Sequence, residues 1–254
     1  MATELKTVYM NARSPAIAAA AIYPYGTLTA RLEAIVAEFP HAAFASSLGA
    51  EDMVVTDAIL SAGLPIVIFT LDTGRLHRET LDLLERVRSH YGQEIEAVRP
   101  DPDAVARYVK RHGLNAFYES VDLRKHCCNI RKVEPLARAL AGRDAWITGQ
   151  RRTQSVTRTE LPLREHDTVH GMPKFNPLAD WSEAEVWACI RDRCVPYNAL
   201  HDRGYPSIGC EPCTRAIRPG EDIRAGRWWW ENSDAKECGL HVSPLGKPSG
   251  GKSS

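Results

Sequence analysis

PIVIFTLDTGRLHRETLDLLERVRSHYGQEIEAV, residues 65–98, is the stretch whose reading decides the fold. PIVIFTL has the length and the β-branched and aromatic content of a buried strand. LDTGRLH is a glycine-containing loop, the segment that runs on to Gly92 has helical spacing of its apolar residues, and EIEAV reads as a second strand. A strand, a loop, a helix and another strand in that order pair in parallel, because the helix is the crossover that parallel pairing needs.

The same alternation extends in both directions. Upstream, Leu28, Leu32, Ile35, Val36 and Phe39 fall on one helical face, AAFASS (42–47) reads as a short buried strand, and SSLGAED (46–52) turns into the helix MVVTDAILSAG (53–63). Downstream, DPDAVARYVKRHG (101–113) is an aspartate-capped helix. CCNIRKVEPLARALAG (127–142) is helical with a bend near Pro135, and AWITG (145–149) is a central strand ending in glycine. The expected fold is therefore α/β, a doubly wound, mostly parallel sheet. Ligands of such sheets sit at the carboxyl ends of the strands, where SSLGAED, LDTGRLH and GQRRTQSVTR (149–158) converge.

Flanking this core, residues 1–26 show no periodicity and read as an N-terminal arm. SEAEVWACIRDRC (182–194) is an amphipathic helix opened by a Ser182/Glu185 capping box. Beyond it the chain is irregular, and residues 243–254 are small and polar enough for a disordered tail. Lysine plus arginine equals aspartate plus glutamate at 32 each, which leaves no global field for nucleic acid or an anionic membrane. No membrane span and no leader segment are read in the sequence, so a cytoplasmic protein is expected. Seven cysteines, an odd number with CC and CxxC spacing, suit metal in a reducing compartment better than a disulfide framework.

Four of those cysteines form two tight pairs, Cys127 with Cys128 and Cys210 with Cys213. Four thiolates satisfy an iron–sulfur cluster; zinc is the rival, although adjacent ligands are unusual in zinc knuckles. Cys238 stands apart beside His241, free to act as a nucleophile whose pKa the histidine could lower. Cys189 and Cys194 lack partners and read as buried packing residues. Arg151, Arg152 and Arg158 follow the AWITG strand with hydroxyl and amide groups between them, a pattern suited to phosphate or sulfate oxygens. Arg224 and Arg227 form a second cationic pair before Trp228, Trp229 and Trp230, which read equally as a lid or as core. Lys132 could place charge between the cysteines and an anion, or lie on a helix surface. SSLGAED could bind an anion at a helix N-terminus or be an ordinary turn, and Asp72 and Thr73 could simply cap the next helix. His41, His77, His90 and His112 match no ligand spacing.

Taken together, SSLGAED, LDTGRLHRET, CCNIRK, TGQRRTQSVTR, YPSIGCEPCTR, GRWWW and KECGLH resemble, in order and spacing, the assimilatory adenylyl-sulfate reductases of the phosphoadenylyl-sulfate reductase family over nearly the whole chain. The resemblance implies an adenine-nucleotide-α-hydrolase-like fold in one domain over residues 1–242, with an irregular cluster-binding segment and a catalytic tail over 228–242. It implies a 4Fe–4S cluster on Cys127, Cys128, Cys210 and Cys213, with Lys132 linking the field of the cluster to substrate. It assigns Cys238 to attack on the sulfur of adenosine 5'-phosphosulfate, with AMP leaving and thioredoxin or a similar dithiol releasing sulfite. Ser46 or Ser47, Leu71, Gly149, Arg158, Arg224 and Arg227 match positions around the nucleotide. Possession of both cysteine pairs implies the unphosphorylated nucleotide, with dual use of the 3'-phosphorylated one as the alternative. An ATP pyrophosphatase or adenylyltransferase would want an SGGxDS loop, and a metal–thiolate sensor would not need KECGLH. A homo-oligomer stays open.

Overall fold

The computed structural model describes residues 23–154 and 160–231. Among the described residues, four α-helices precede the helix of the first cysteine pair: α1 (Tyr25–Glu38), α2 (Ala50–Ser61), α3 (Arg78–Tyr91) and α4 (Pro102–His112). They alternate with β1 (Ala43–Ala45), β2 (Val67–Leu71) and β3 (Glu96–Val98). Then come α5 (Val121–Cys128), α6 (Glu134–Leu140), β4 (Trp146–Ile147), β5 (Arg164–Asp167), β6 (Met172–Phe175) and α7 (Glu183–Asp192).

The six strands run in the order β3-β2-β1-β4-β6-β5, parallel throughout except for β5 against β6. The chain winds outward from β1 to β3 and then returns to the other side of β1, so the strand order reverses between β1 and β4. That reversal opens a crevice at their carboxyl ends. The β5–β6 hairpin is absent from the sequence reading, because REHD is a run of charged and polar residues. Its position explains the composition: β5 is the outer strand, and charge on an edge opposes pairing with another chain.

Alternation of side chains across the sheet builds its two faces. Phe44, Ile68, Ile147 and Phe175 point into the main core with α1, α2, α3 and α7, where Leu32, Met53, Leu83, Val87 and Ile190 are buried. Ala43, Phe69 and Trp146 point the other way and meet Leu136 and Leu140 of α6. A smaller cluster of Tyr108, Ala116 and Ile130 joins α4 to the cysteine-bearing helix. The buried Asp57 carboxylate ties the helical layer together, accepting from Tyr25 Oη at 2.7 Å, Tyr91 Oη at 2.9 Å and Arg193 Nε at 2.5 Å.

Local chemistry sets the ends of these helices. Asp101 accepts from the Asp103 N–H with Pro102 in the first turn of α4, and the Ser182/Glu185 box caps α7 reciprocally. The expected arm is overtaken by α1, which takes in Tyr25 and Gly26; residues 1–22 and the 243–254 tail lie outside the described residues. The bend expected near Pro135 is instead a π-helical turn over Asn129–Val133 that joins α5 to α6 without a break. Proline has no N–H for an i−4 carbonyl and its ring crowds that carbonyl, and the wider turn directly before Pro135 accommodates both. Cys194 is also corrected: it is exposed, at φ +53° just past the end of α7, whereas Cys189 is buried within it. Among the described residues no helix is long and apolar enough to cross a membrane.

Phe44 is fully buried at the centre of the sheet. Phe44→Ala should lower unfolding free energy by about 3–5 kcal/mol, measured by urea denaturation; a loss below about 1 kcal/mol would mean that the core collapses around the gap.

Candidate functional site

The crevice at the β1/β4 reversal holds a cavity of about 250 Å³. Its floor is made where three strands end: Ser46 and Ser47 after β1, Leu71 and Thr73 at the end of β2, and Thr148 and Gly149 after β4. Lys132 from the π-helical turn enters from one side, and Arg224, Arg227 and Trp228 close the rim.

The loop leading from β1 into α2 is held by its own side chains. Asp52 Oδ2 accepts from the Ser47 N–H and Oγ, both at 2.6 Å; Ser46 Oγ accepts from Leu48 N–H at 3.2 Å; and Ser47 Oγ accepts from Gly49 N–H at 3.4 Å. This network fixes Leu48 at φ +61°, a left-handed conformation that a leucine rarely takes. No side chain caps the N-terminus of α2 at Gly49, and Gly49, Glu51 and Asp52 at the start of the helix line the cavity. Gly149 lies against the same loop, and a Cβ there would run into the Asp52 carboxylate. Burial pushes Asp52 up to about 6, against the two bonds from Ser47 that favour its charged form.

On the far side of Lys132 the two cysteine pairs meet. α5 carries Cys127 and Cys128; Cys210 and Cys213 flank a short 3₁₀ turn that is pinned beside the β2 loop, where Leu76 bridges to Cys210 and the Glu211 N–H donates to the Arg75 carbonyl at 2.8 Å. Cys210 Sγ lies 3.2 Å from the Thr73 hydroxyl. Cys127 and Cys213 each feel Cys210, and Cys213 feels Cys128, so the four sulfurs share one pocket of charge. Burial pushes Cys213 up to about 12 and also raises Cys127. It pushes Cys210 the same way, but Lys132, the Thr73 hydroxyl, Arg227 and Arg131 outweigh it and bring that thiol below its ordinary value. Among the described residues no three Cys, His, Asp or Glu side chains converge closely enough to hold one metal ion.

Of the expected anion ligands, Ser46, Ser47, Leu71, Lys132, Gly149, Arg224 and Arg227 all line the cavity. Arg151 does not. It is buried under the loop with its guanidinium on Glu51 at 2.7 Å and on Thr153 Oγ1 at 2.6 Å, so it holds the first turn of α2 in place. Arg158, Cys238 and His241 lie outside the described residues. Asp72 and Thr73 do not cap α3, whose N-cap is His77. Asp72 accepts from Gly74 N–H and Arg99 Nε, and Thr73 offers its carbonyl to Arg131 at 2.6 Å. Of the four histidines that match no ligand spacing, His77 alone is buried, edge-on to Tyr205.

Three contributors escaped the sequence reading. Asp52 stands beside Glu51 at a helix start and looks like a dipole-complementing acid. Arg124 and Arg131 sit in a helix rich in charge and look like solvated cations, yet Arg124 is fully buried and Arg131 nearly so. Their spacing of three and four residues from Cys127 and Cys128 was the available signal.

A family model described as the phosphoadenosine phosphosulfate reductase domain matches residues 41–216. A protein of Burkholderia cepacia named adenosine 5'-phosphosulfate reductase is 65% identical over 219 residues, 85% of this chain and 88% of that one. Among solved structures, the phosphoadenylyl-sulfate reductase of Candida auris in a phosphate complex superposes with a TM-score of 0.64 at 26% identity, covering 85% of this chain and 98% of the other. An FMN adenylyltransferase of Candida glabrata shares the fold alone, with a TM-score of 0.52 at 12% identity over 92% of this chain and 83% of the other. The architecture is the adenine-nucleotide-α-hydrolase-like doubly wound sheet.

The raised Asp52 carboxyl gives a stability test. Between its ordinary value of 3.8 and its folded value of about 6 the folded protein holds a proton that the unfolded chain has released. Stability from this group is therefore present at low pH and lost as pH rises through about 6, by roughly 3 kcal/mol in all. Asp52→Asn should flatten that limb in chemical denaturation between about pH 4 and 6; parallel profiles for the two proteins would refute the assignment.

Proposed function

The chain belongs to the phosphoadenosine phosphosulfate reductase family, and from that membership we propose that it is an adenylyl-sulfate reductase of assimilatory sulfate reduction and cysteine biosynthesis, converting adenosine 5'-phosphosulfate to sulfite and AMP. The observation that carries the reading is the position of Lys132: its side chain lines the cavity at the sheet reversal while its charge acts on both Cys210 and Cys213. One cation thus joins a nucleotide-type crevice to a group of four thiols.

In this reading the adenylyl phosphate sits over the uncapped first turn of α2, beside the Ser46 and Ser47 hydroxyls, with the Gly149 turn permitting close approach. Arg224 and Arg227 at the rim, joined by Arg158, balance phosphate and sulfate oxygens. The Cys238 thiolate attacks the sulfur, the bond from sulfur to the phosphate oxygen breaks, and AMP leaves with that electron pair. An S-sulfocysteine remains on the chain, and His241 close in sequence favours the thiolate. Thioredoxin or a similar dithiol then attacks the Cys238 sulfur, sulfite departs, and the second thiol of the donor resolves the mixed disulfide.

The donor set fits a 4Fe–4S cluster on Cys127, Cys128, Cys210 and Cys213. Four thiols of one pocket lie among Lys132, Arg131 and Arg227, cations that offset the negative charge of a tetrathiolate centre. When bound, such a cluster supplies a fixed anionic centre against which Lys132 is oriented. The attack itself is thiol chemistry. Thiols in this role need a reducing compartment, and we place the enzyme in the cytoplasm.

Anaerobically purified protein, with thioredoxin supplied, should release sulfite from adenosine 5'-phosphosulfate and carry about four irons per chain. Comparable rates with the 3'-phosphorylated nucleotide would make it a dual-specificity reductase, and no sulfite from either would refute the reading. Cys238→Ser should keep its iron and lose at least about 10³-fold in turnover. Cys210→Ser should lose iron and thermal stability together, since metal binding is linked to folding; a fully metallated, equally stable variant would remove Cys210 from the ligand set.

A further inference from the structure

Arg227 is set into the wall of the crevice, 8% exposed, beside Ser207, Ile208, Gly209 and Trp228, all of which line the same cavity. A Cβ on Gly209 would lie 2.5 Å from Nη2, 2.7 Å from Cζ and 3.2 Å from Nε of Arg227. Those three distances put it over the flat face of the guanidinium, so that face rests on the Gly209 backbone. Gly209 is not one of the glycines at positive φ, and it is space rather than conformation that calls for glycine here. The Trp228 indole is a second wall, with Cζ of Arg227 over its ring at 4.7 Å. Trp228 is buried and sits at φ +41°, a conformation that a bulky residue rarely takes. Its N–H donates to the Cys213 carbonyl at 3.1 Å. Thr214 keeps the parts in register: its Oγ1 accepts from the Gly209 N–H at 3.1 Å and donates to the Cys210 carbonyl at 2.9 Å, and its backbone bridges to Arg227.

We propose that Gly209 is a positioning residue: with Trp228 it forms a slot that holds the Arg227 guanidinium in one plane, so that its fork meets the phosphate or sulfate oxygens of the nucleotide at a fixed angle. This rests on Arg227 being an anion ligand, as proposed above. Bidentate recognition of an oxyanion depends on the plane of the fork and not only on its charge. A long side chain can enter the crevice at many angles, and the slot leaves one. Because the donors of a guanidinium lie in its plane, a face laid on a backbone carbon takes no hydrogen bond from it. The protein contacts at Nη1 are long, 3.3 Å to the Ile208 carbonyl and 3.4 Å to Ser207 Oγ, and they steer the group without competing with a charged ligand. A methyl at Gly209, well inside van der Waals contact of Cζ, must push the guanidinium out of that plane.

The test is a double-substitution cycle on the anaerobically purified full chain: wild type, Gly209→Ala, Arg227→Ala and the two together, with Arg227→Lys as the variant that keeps the charge. Iron content and kcat/KM for adenosine 5'-phosphosulfate, with thioredoxin supplied, are measured on each. Gly209→Ala should keep its iron and lower kcat/KM at least about tenfold. In the Arg227→Ala background the same methyl should cost less than about twofold, because the group it displaces is gone. Arg227→Lys should lose nearly as much as Arg227→Ala, since a charge without a plane does not use the slot. Additive losses, an unchanged Gly209→Ala, or an Arg227→Lys as active as the wild type each overturn the proposal while leaving Arg227 a cation of the site. Should Gly209→Ala alone lose iron or its fold, recovery of both in the double variant still assigns the collision to the guanidinium, and continued loss overturns the proposal because the methyl then strikes something else. An Arg227→Ala with undiminished kcat/KM removes Arg227 from the anion ligands and the slot with it, whereas a wild type that releases no sulfite refutes the proposed reaction itself.

Discussion

The close approach of the β4 turn to the first turn of α2 is the contact on which the rest of the site depends. Gly149 lies where any side chain would meet the Asp52 carboxylate, and that carboxylate in turn shapes the Ser46–Gly49 loop through Ser47. Arg151, two residues beyond Gly149, grips Glu51 from beneath, so the same two segments are joined by a contact and by a buried ion pair. A cavity between β1 and β4 follows from the winding of the sheet, but its width at the floor is set here. The cost is a carboxyl buried in a place that favours its protonated form.

A second constraint is electrostatic. Burial makes these thiols costly to ionise, with a smaller part from their neighbouring sulfurs, and Cys213 and Cys127 show the penalty, whereas for Cys210 Lys132, the Thr73 hydroxyl, Arg227 and Arg131 outweigh it. The same cations face the crevice or the loop beneath it. Arg131 donates to the Thr73 carbonyl, and Lys132 and Arg227 line the cavity. The positive charge that makes the thiol pocket tolerable is therefore the charge that an anionic ligand meets, and one set of residues performs both tasks.

Much of this was legible in the sequence where a periodicity or a motif had one reading. PIVIFTL, the alternation around it and the Ser182/Glu185 box led to β2, the parallel order and α7. Two adjacent cysteines and a CxxC announced themselves by spacing. Illegible were the features that depend on which face of an element turns inward. Arg151 reads as an anion ligand and Arg124 and Arg131 carry no motif of their own, yet all three are buried, and Cys194 reads as core but is exposed at a left-handed position just past α7. The β5–β6 hairpin was hidden because its edge position, not its composition, makes it a strand. The π-helical turn was hidden because proline signals disruption without saying which form the relief takes.

The strained leucine of the first loop has a thermodynamic consequence. Glycine would reach the left-handed region at no steric cost, but it would also leave the loop free to leave it. Here Leu48 is buried and held at φ +61° by a net of hydroxyl and carboxylate bonds that is complete in the chain alone. The entropy of ordering that loop has been met during folding rather than at each encounter with a ligand. Its occupancy should thus be governed by enthalpy and charge, with little conformational entropy left to lose on binding.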